Sequence, residues 1–360
     1  MGKFFRIVDW VAVVLLLVIV LLGLFLLVTI DKNLFAQQLL FVLVGLLLFV
    51  LFSVIDESVL WWAGPYVYVC GSLFLLLPYF GPSIRGATRW VFIAGMQFQP
   101  SELVKPLFLL AFARFIAQYP PRTIKYIPLH VLFFVIPFFL IFRQPDLGTS
   151  IVYACFWLAM MLAGGMPVGV FVSTLVGCSI VSPLIWHVLA SYQRARILTF
   201  LNPSLDPRGA GYNAIQSMIA VGSGQFFGRG LGKGTQSHLR FLPEFHTDFV
   251  FAALIEELGF IGGIVLFAGY GLLLWRILTP LVRGMVDDLF SFTYSVGLFT
   301  TVLSQVVIHA GMNMGIFPVT GITLPFVSYG GSSLLSLSMS FGLLWALQLG
   351  RSDRGSIAIR

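Results

Sequence analysis

The chain has 360 residues, 59% of them apolar and 10% charged, with a formal net charge of +7. About a quarter of a soluble domain is usually charged, so a soluble fold of this length could not cover its surface and is excluded. The positive balance does not indicate nucleic acid, because the bases are scattered along the chain rather than gathered in one stripe; anionic lipid headgroups are the simpler partner.

Runs near 20 apolar residues are long enough to cross roughly 30 Å of hydrocarbon as helix. Ten are predicted: about Ile7–Ile30, Leu34–Ile55, Val59–Pro78, Pro100–Ile116, Ile124–Phe142, Leu147–Gly164, Pro167–Leu189, Asp248–Leu278, Leu289–Met312 and Leu324–Gly350. Several contain Gly or Pro, which lipid tolerates only where neighbouring helices or a wet cavity satisfy the freed backbone groups. The expected fold is an all-α integral membrane bundle, a single domain over 1–360 with one long extracytoplasmic loop, 190–247, between the seventh and eighth spans. The first run is too long for a secretory signal, and no small-x-small cleavage site follows before Asp31-Lys32, so it is expected to stay as the first helix.

With the N-terminus inside, Lys3, Arg6, Arg114, Arg122, Lys125, Arg276, Arg283, Arg351, Arg354 and Arg360 are cytoplasmic. Lys32, Arg85, Arg89 and Arg143 then fall on short outer segments, which is the bias the positive-inside rule favours. Both termini lie in the cytoplasm in this arrangement. Cys70, Cys155 and Cys178 all sit in apolar runs; an odd number of embedded thiols argues for packing rather than disulfides.

Two outer segments carry the polar content. In the first, Arg89-Trp90 leads through Gln97-Phe98-Gln99-Pro100-Ser101-Glu102 into a helix containing Lys105. Pro100 suits a first helical turn, and Glu102 and Lys105 share one helix face. Ionisable groups inside a span face a cavity or each other; a mutual ion pair and a substrate-site role both fit. Further on, Asp146 in Arg143-Gln144-Pro145-Asp146-Leu147-Gly148-Thr149 is placed to cap the next helix.

The second is the 190–247 loop. It opens with Tyr192-Gln193-Arg194-Ala195-Arg196, two bases just above the membrane. Ile215, Met218, Ile219 and Ala220 recur at helical spacing, which suits an interfacial helix or ordinary packing on the bundle. Between Gly222 and Gly234 the glycines are dense enough to form an anion-holding nest, to which Arg229 and Lys233 would add charge. A flexible tether explains the same glycines more simply, and the segment is not a Walker loop, since Gly234 follows Lys233.

The loop closes on Leu242-Pro243-Glu244-Phe245-His246-Thr247-Asp248. Thr247 or Asp248 would make a good N-cap for the following helix. Glu244, His246 and Asp248 alternate, so in an extended stretch they could meet a divalent cation, although the short spacing is weakly diagnostic. Glu256 and Glu257 come about 12–14 Å further along that helix. Carboxylates at that depth need partners, for which Lys105 and Arg143 are candidates. His130, His187, His238 and His309 show no metal-type clustering. Before the last span, Leu324-Pro325-Phe326-Val327-Ser328-Tyr329-Gly330-Gly331-Ser332-Ser333 is irregular and should line a protected or wet cavity.

These segments together resemble the SEDS family, the RodA/FtsW/SpoVE group. The matching blocks are Arg89-Trp90 with Gln99-Pro100-Ser101-Glu102-x-x-Lys105, Gln144-Pro145-Asp146-Leu147-Gly148-Thr149, Tyr192-Gln193-x-x-Arg196, Leu242-Pro243-Glu244-x-His246-Thr247-Asp248-Phe249, Glu256-Glu257-Leu258-Gly259 and Leu324 to Ser333. They occur in family order and, with the spans between them, cover essentially the whole chain. One departure is visible: the family usually carries Asn several residues before a Gly-Ile-x-Pro stretch, and that place is read here as His309, with Asn313 nearby. The very short tails look more like the elongation member than the division member.

The resemblance implies a peptidoglycan glycosyltransferase of the bacterial cytoplasmic membrane. It would join lipid II units into β-1,4 glycan strands on the outer face during cell elongation and shape maintenance, releasing undecaprenyl diphosphate. It further implies a divalent metal ion (Mg or Mn), a class B penicillin-binding protein as transpeptidase partner, and other elongation-complex membrane proteins. Asp248 is the implied catalytic base, placed to take the proton of the acceptor 4-hydroxyl; partial burial would raise its pKa and nearby cations would lower it. Arg89, Lys105 and Arg196, on family motifs, are expected to bind substrate or meet the leaving diphosphate. Arg194, Arg229 and Lys233 join them by position alone; Glu102, Glu256 and Ser328 complete the expected binding set. The rival class is a flippase for lipid II or another lipid-linked oligosaccharide. It would show related halves or midplane sites, and no convincing repeat is present. A mere scaffold would not explain ionisable residues within spans.

Overall fold

A computed structural model describes residues 9–81, 88–93, 95–189, 191–207, 209, 211–239 and 241–357. Lys3, Arg6, Arg85 and Arg360, used in the topology reading, lie outside these residues. The described residues are mostly helical. Among the described residues, six helical segments are long and apolar enough to cross a membrane: Trp10–Thr29, Lys32–Ser53, Glu57–Phe80, Ile124–Arg143, Val250–Val282 and Leu289–Asn313. Their outward residues, such as Leu47, Trp62 and Leu132, are exposed. On a soluble protein that much apolar surface would be a liability; in a multi-pass membrane protein it is the lipid-facing surface.

In chain order the helices are α1 (Trp10–Ile30), α2 (Lys32–Ser53), α3 (Glu57–Phe74), α4 (Pro100–Leu103), α5 (Lys105–Gln118), α6 (Ile127–Arg143), α7 (Leu147–Ala163), α8 (Val168–Val188), α9 (Ser191–Leu201), α10 (Tyr212–Ser223), α11 (Thr235–His238), α12 (Val250–Val282), α13 (Leu289–Asn313) and α14 (Gly331–Ile357). A small antiparallel hairpin, β1 (Val91–Ile93) and β2 (Met96–Phe98), precedes α4. Aspartates start several helices where the sequence turns: Asp31, Asp56, Asp146 and Asp288 each accept a backbone N–H from the first turn. Helix α13 runs through the middle against α5, α7 and α12, α14 lies along α2, and α10 packs on α12. Phe108, Tyr153, Tyr270, Tyr294 and Trp345 fill the core. The buried tyrosines each donate to a carbonyl of another segment, Tyr153 to Ser101, Tyr270 to Pro325 and Tyr294 to Ser340.

Three predicted spans differ in detail. The fourth is broken into α4 and α5, because Pro106 lacks an N–H and its ring cannot follow a helical carbonyl four residues back. The tenth begins at Gly331 rather than Leu324: a residue before proline avoids helix, Phe326 has φ 65°, and Ser328 Oγ accepts the Leu324 N–H at 2.8 Å. The eighth carries a break at Gly259, whose φ of 67° and ψ of −165° are non-helical. Of the stripe at residues 215–220, Ala220 is buried against the bundle together with Ala214 and Ser217, whereas Ile219 stays exposed.

Candidate functional site

The segment Glu244–Asp248 winds one tight turn before α12. Glu244 takes a positive φ of 54°, and its carbonyl accepts the N–H groups of Thr247 at 3.1 Å and Asp248 at 3.0 Å. Helix α12 then starts without a capping side chain of its own, which corrects the expectation that Thr247 or Asp248 would cap it. The Ala252 N–H is met instead from α13, by Asn313 Oδ1 at 3.1 Å. Asn313 Nδ2 donates to the Asp248 carbonyl at 3.0 Å and to the His309 carbonyl at 2.8 Å.

The Asp248 carboxylate is therefore left to its surroundings. It is partly buried, and burial pushes its pKa above the ordinary carboxylate value. Arg89 pulls it back, Glu244 raises it further, and Arg196 and the Thr247 hydroxyl lower it. Asp248 Oδ2 and the two terminal nitrogens of Arg89 all lie within 4 Å of where a Cβ on Gly321 would stand, so they share one small space. Arg196 also lines a cavity of ≈ 50 Å³ with Phe200, Met218, Met312, Phe317 and Val319.

Behind Arg89 lies a polar network. Arg89 Nη1 is 3.9 Å from Asp146 Oδ1. Asp146, buried, also accepts from Gln99 Nε2 at 2.5 Å, Ser101 Oγ at 3.1 Å and the Thr149 N–H at 3.3 Å. It is thus a cap, as expected, but one that also faces a guanidinium. Gln99 was legible only as part of a motif block and Asp146 only as that and as a cap, neither as a site residue. Glu102 and Lys105 pair with each other at 2.6 and 2.7 Å, both almost fully buried. The mutual ion pair expected as one of two readings is thus present.

Ser328 belongs to a strap. Its hydroxyl donates to the Thr247 carbonyl at 2.7 Å, next door to Asp248, while the Tyr329 N–H donates to the His246 carbonyl at 2.8 Å. Gln38 from α2 holds the other side of the strap, donating to the Ser328 carbonyl and accepting the Gly330 N–H.

A second cluster gathers around the break in α12. The Arg229 and Gly230 N–H groups donate to the carbonyls of Glu256 and Glu257 at 2.9 and 3.1 Å. The Phe260 and Ile261 N–H groups in turn donate to the carbonyls of Gln225 and Phe226. A Cβ on Gly228 would lie 2.2 Å from the Glu257 carbonyl oxygen, and one on Gly259 would lie 2.2 Å from the Gly228 nitrogen. Glycine is needed at both places because two backbones touch. The glycine-rich segment is therefore a clamp on a broken helix rather than a free tether, and the anion that its Gly232 N–H meets is the Glu257 carboxylate. The side chain of Glu256 accepts from Thr235 Oγ1 and the Gln236 N–H, and that of Glu257 accepts from the Gly232 N–H. These partners come from the loop, whereas Lys105, one expected partner, binds Glu102. Arg229 donates to Thr235, Lys233 is exposed, and Arg194 donates to the His187 carbonyl. Arg194, Arg229, Lys233 and Glu256 are not among the groups that bear on Asp248.

A divalent ion finds no ready donor set: among the described residues no three His, Cys, Asp or Glu side chains come together. Glu244, His246 and Asp248 do not converge as an extended stretch would allow, because Glu244 turns the chain. The His246 ring packs edge-on to Tyr329 and Phe245. Burial lowers its pKa, which Glu244 and Asp31 partly offset.

The comparisons with known proteins agree with this arrangement. The FtsW/RodA/SpoVE family model, described as a cell cycle protein, matches residues 3–352. The peptidoglycan glycosyltransferase MrdB of Escherichia coli (strain K12) is 39% identical over 310 residues, covering 85% of this chain and 83% of that protein. Stage V sporulation protein E of Bacillus subtilis (strain 168) is 36% identical over 324 residues, 87% of each. Among solved structures, one of a peptidoglycan synthase complex that coordinates polymerization and crosslinking superposes with a TM-score of 0.81 at 32% identity, covering 94% of this chain and 97% of that one. The rod shape determining protein RodA of Thermus thermophilus superposes with a TM-score of 0.72 at 29% identity, covering 94% and 96%. The polar blocks, the helical bundle that carries them and these matches lead to one conclusion: the chain belongs to the SEDS family, the FtsW/RodA/SpoVE cell cycle proteins.

Proposed function

We propose that this protein is a peptidoglycan glycosyltransferase of the elongation type, polymerising lipid II into β-1,4 glycan strands. The observation that carries this reading is the Asp248 carboxylate, partly buried and within electrostatic reach of Arg89 and Arg196, in a chain whose relatives include a named peptidoglycan glycosyltransferase. The acceptor sugar's 4-hydroxyl attacks the donor's anomeric carbon and gives its proton to Asp248; the bond from that carbon to the diphosphate oxygen breaks, and undecaprenyl diphosphate leaves. A base of raised pKa is better matched to a hydroxyl proton than an ordinary surface carboxylate. Arg89 and Arg196 sit where they can meet the charge that develops on the diphosphate.

The prenyl chain needs an apolar bed. A groove of ≈ 60 Å³ between α1, α2 and α14, lined by Leu16, Leu46, Phe49, Phe326 and Phe341, supports this; Phe326 lies two residues from the Ser328 strap. A divalent ion, Mg2+ or Mn2+, belongs to this reading as a companion of the diphosphate rather than a protein-caged centre. The distribution of Arg and Lys supports both termini in the cytoplasm and residues 190–247 outside. The synthase-complex neighbour supports a class B penicillin-binding protein as partner.

The test is glycan synthesis by the full chain, purified in detergent with that partner and given lipid II. Polymer should form with the native protein and be lost with Asp248→Asn. Absence of polymer from the native protein, or near-normal synthesis by the variant, would overturn the assignment.

A further inference from the structure

The first hydrogen bond within α12 is from the Ala253 N–H to the Phe249 carbonyl at 3.1 Å. The next bond toward the N-terminus would join the Ala252 N–H to the Asp248 carbonyl, the ordinary pairing of residues four apart. It is absent, and the Asn313 amide stands between these two groups. Its Oδ1 takes the Ala252 N–H at 3.1 Å, and its Nδ2 gives a proton to the Asp248 carbonyl at 3.0 Å. The second Nδ2 proton goes to the His309 carbonyl at 2.8 Å, and Ser217 Oγ lies 3.4 Å from Oδ1. The amide is fully buried. Its orientation is fixed by chemistry, since an N–H can meet only the oxygen and carbonyls only the nitrogen.

We propose that Asn313 is a positioning residue for the reaction: it intercepts the bond that would wind α12 back by one residue, and so keeps Asp248 from becoming the helix cap. This rests on the glycosyltransferase reading of Asp248 and deepens it. Were the turn to close, Asp248 would occupy the N-cap, where carboxylates bind the N–H groups of the first turn. A carboxylate holding such bonds is stabilised in its charged form and becomes a weaker base. It would also swing from the space it shares with Arg89 toward the helix end. The other charged groups acting on it, Arg89 from the segment before β1, Arg196 from α9 and Glu244 from its own loop, would be unchanged.

The experiment compares pH–rate profiles and steady-state constants for native protein, Asn313→Ala, Asn313→Asp and Asp248→Asn, each as full chain in detergent with lipid II. Asn313→Ala should lower kcat about 10- to 100-fold, leave KM within about threefold, and move the acid limb down by about one pH unit or more. Asn313→Asp keeps an acceptor for Ala252 while repelling the Asp248 carbonyl, so its acid limb should not move down although kcat falls. A purely structural role would lower thermal stability and leave the acid limb of Asn313→Ala in place; that result, or an unchanged kcat, overturns the proposal. Should Asn313→Ala fail to fold, a downward shift of the limb in Asn313→Asp, or native kcat there, overturns it equally. Asp248→Asn separates the two ideas: polymer from that variant removes the base assignment and this proposal with it, whereas no polymer from the native protein defeats the glycosyltransferase reading itself.

Discussion

Glu102 and Lys105 give the sharpest energetic prediction. Lys105 Nζ sits 2.6 and 2.7 Å from the two carboxylate oxygens, with side-chain exposures of 2% and 6%. The Thr149 hydroxyl, 3.4 Å from Glu102 Oε1, is a poor substitute donor at that distance. Lys105→Met therefore leaves a buried carboxylate without its cation, and Glu102→Gln leaves the reverse; each should cost about 3–5 kcal/mol. The double variant Glu102→Gln/Lys105→Met has no net charge to desolvate and should return to within about 1–2 kcal/mol of the native protein. Denaturant unfolding of the four proteins in detergent, as a double-mutant cycle, measures this coupling directly. Glycan synthesis on the same preparations should recover with stability. A single variant as stable as the native protein would refute the burial argument. A double variant that is stable and makes no polymer would show that the charges themselves serve the reaction.

Asp248→Asn should abolish synthesis yet raise stability at neutral pH. The folded carboxyl has a raised pKa, so between the ordinary and raised values the folded state binds more protons than the unfolded one, and stability falls as pH rises through that window. The native protein should lose this contribution there while the Asn variant shows a flat profile in thermal melts. Activity of the native protein should rise with pH across the same window as the base deprotonates. Asp146→Asn keeps a helix cap but releases Arg89 from a buried anion; the freed guanidinium should move the acid limb of the rate profile lower, and an unmoved limb would separate the two residues. Gly259→Ala places a Cβ 2.2 Å from the Gly228 nitrogen at φ 67°. It should cost about 1–3 kcal/mol in backbone strain alone, read as a lower melting temperature, with Ala at solvent-side Gly284 not sharing the close contact.

The spans were legible because twenty apolar residues in a row leave little choice in lipid: six of the ten predicted runs fall on helices long and apolar enough to cross a membrane, and the other four overlap α5, α7, α8 and α14. The ends were less so: Pro325 and the Ser328 hydroxyl delay α14, and Pro106 splits the fourth span. The motif blocks located Asp248, Arg89 and Arg196. What could not be read was which polar group meets which. The glycine-rich segment resembled a tether because its partners are backbone groups of residues 256–261, and backbone carries no sequence signature. Asn313 was noticed only as a neighbour of His309, yet it is Asn313 that reaches Asp248, while His309 turns Nδ1 to the Ile322 carbonyl. Asp146 was predicted as a cap and is one; its contact with Arg89 depends on the packing of two spans.

The strap at Ser328 has a consequence for biosynthesis. Thr247 is held by a residue 81 positions later, and Gln38 reaches across 290 positions to hold that residue in turn. Contacts of such sequence separation form only after the intervening chain has been made and inserted. During translation the Asp248 carboxylate thus exists long before its mounting does, and a chain stalled ahead of residue 328 would hold it on an unbraced turn.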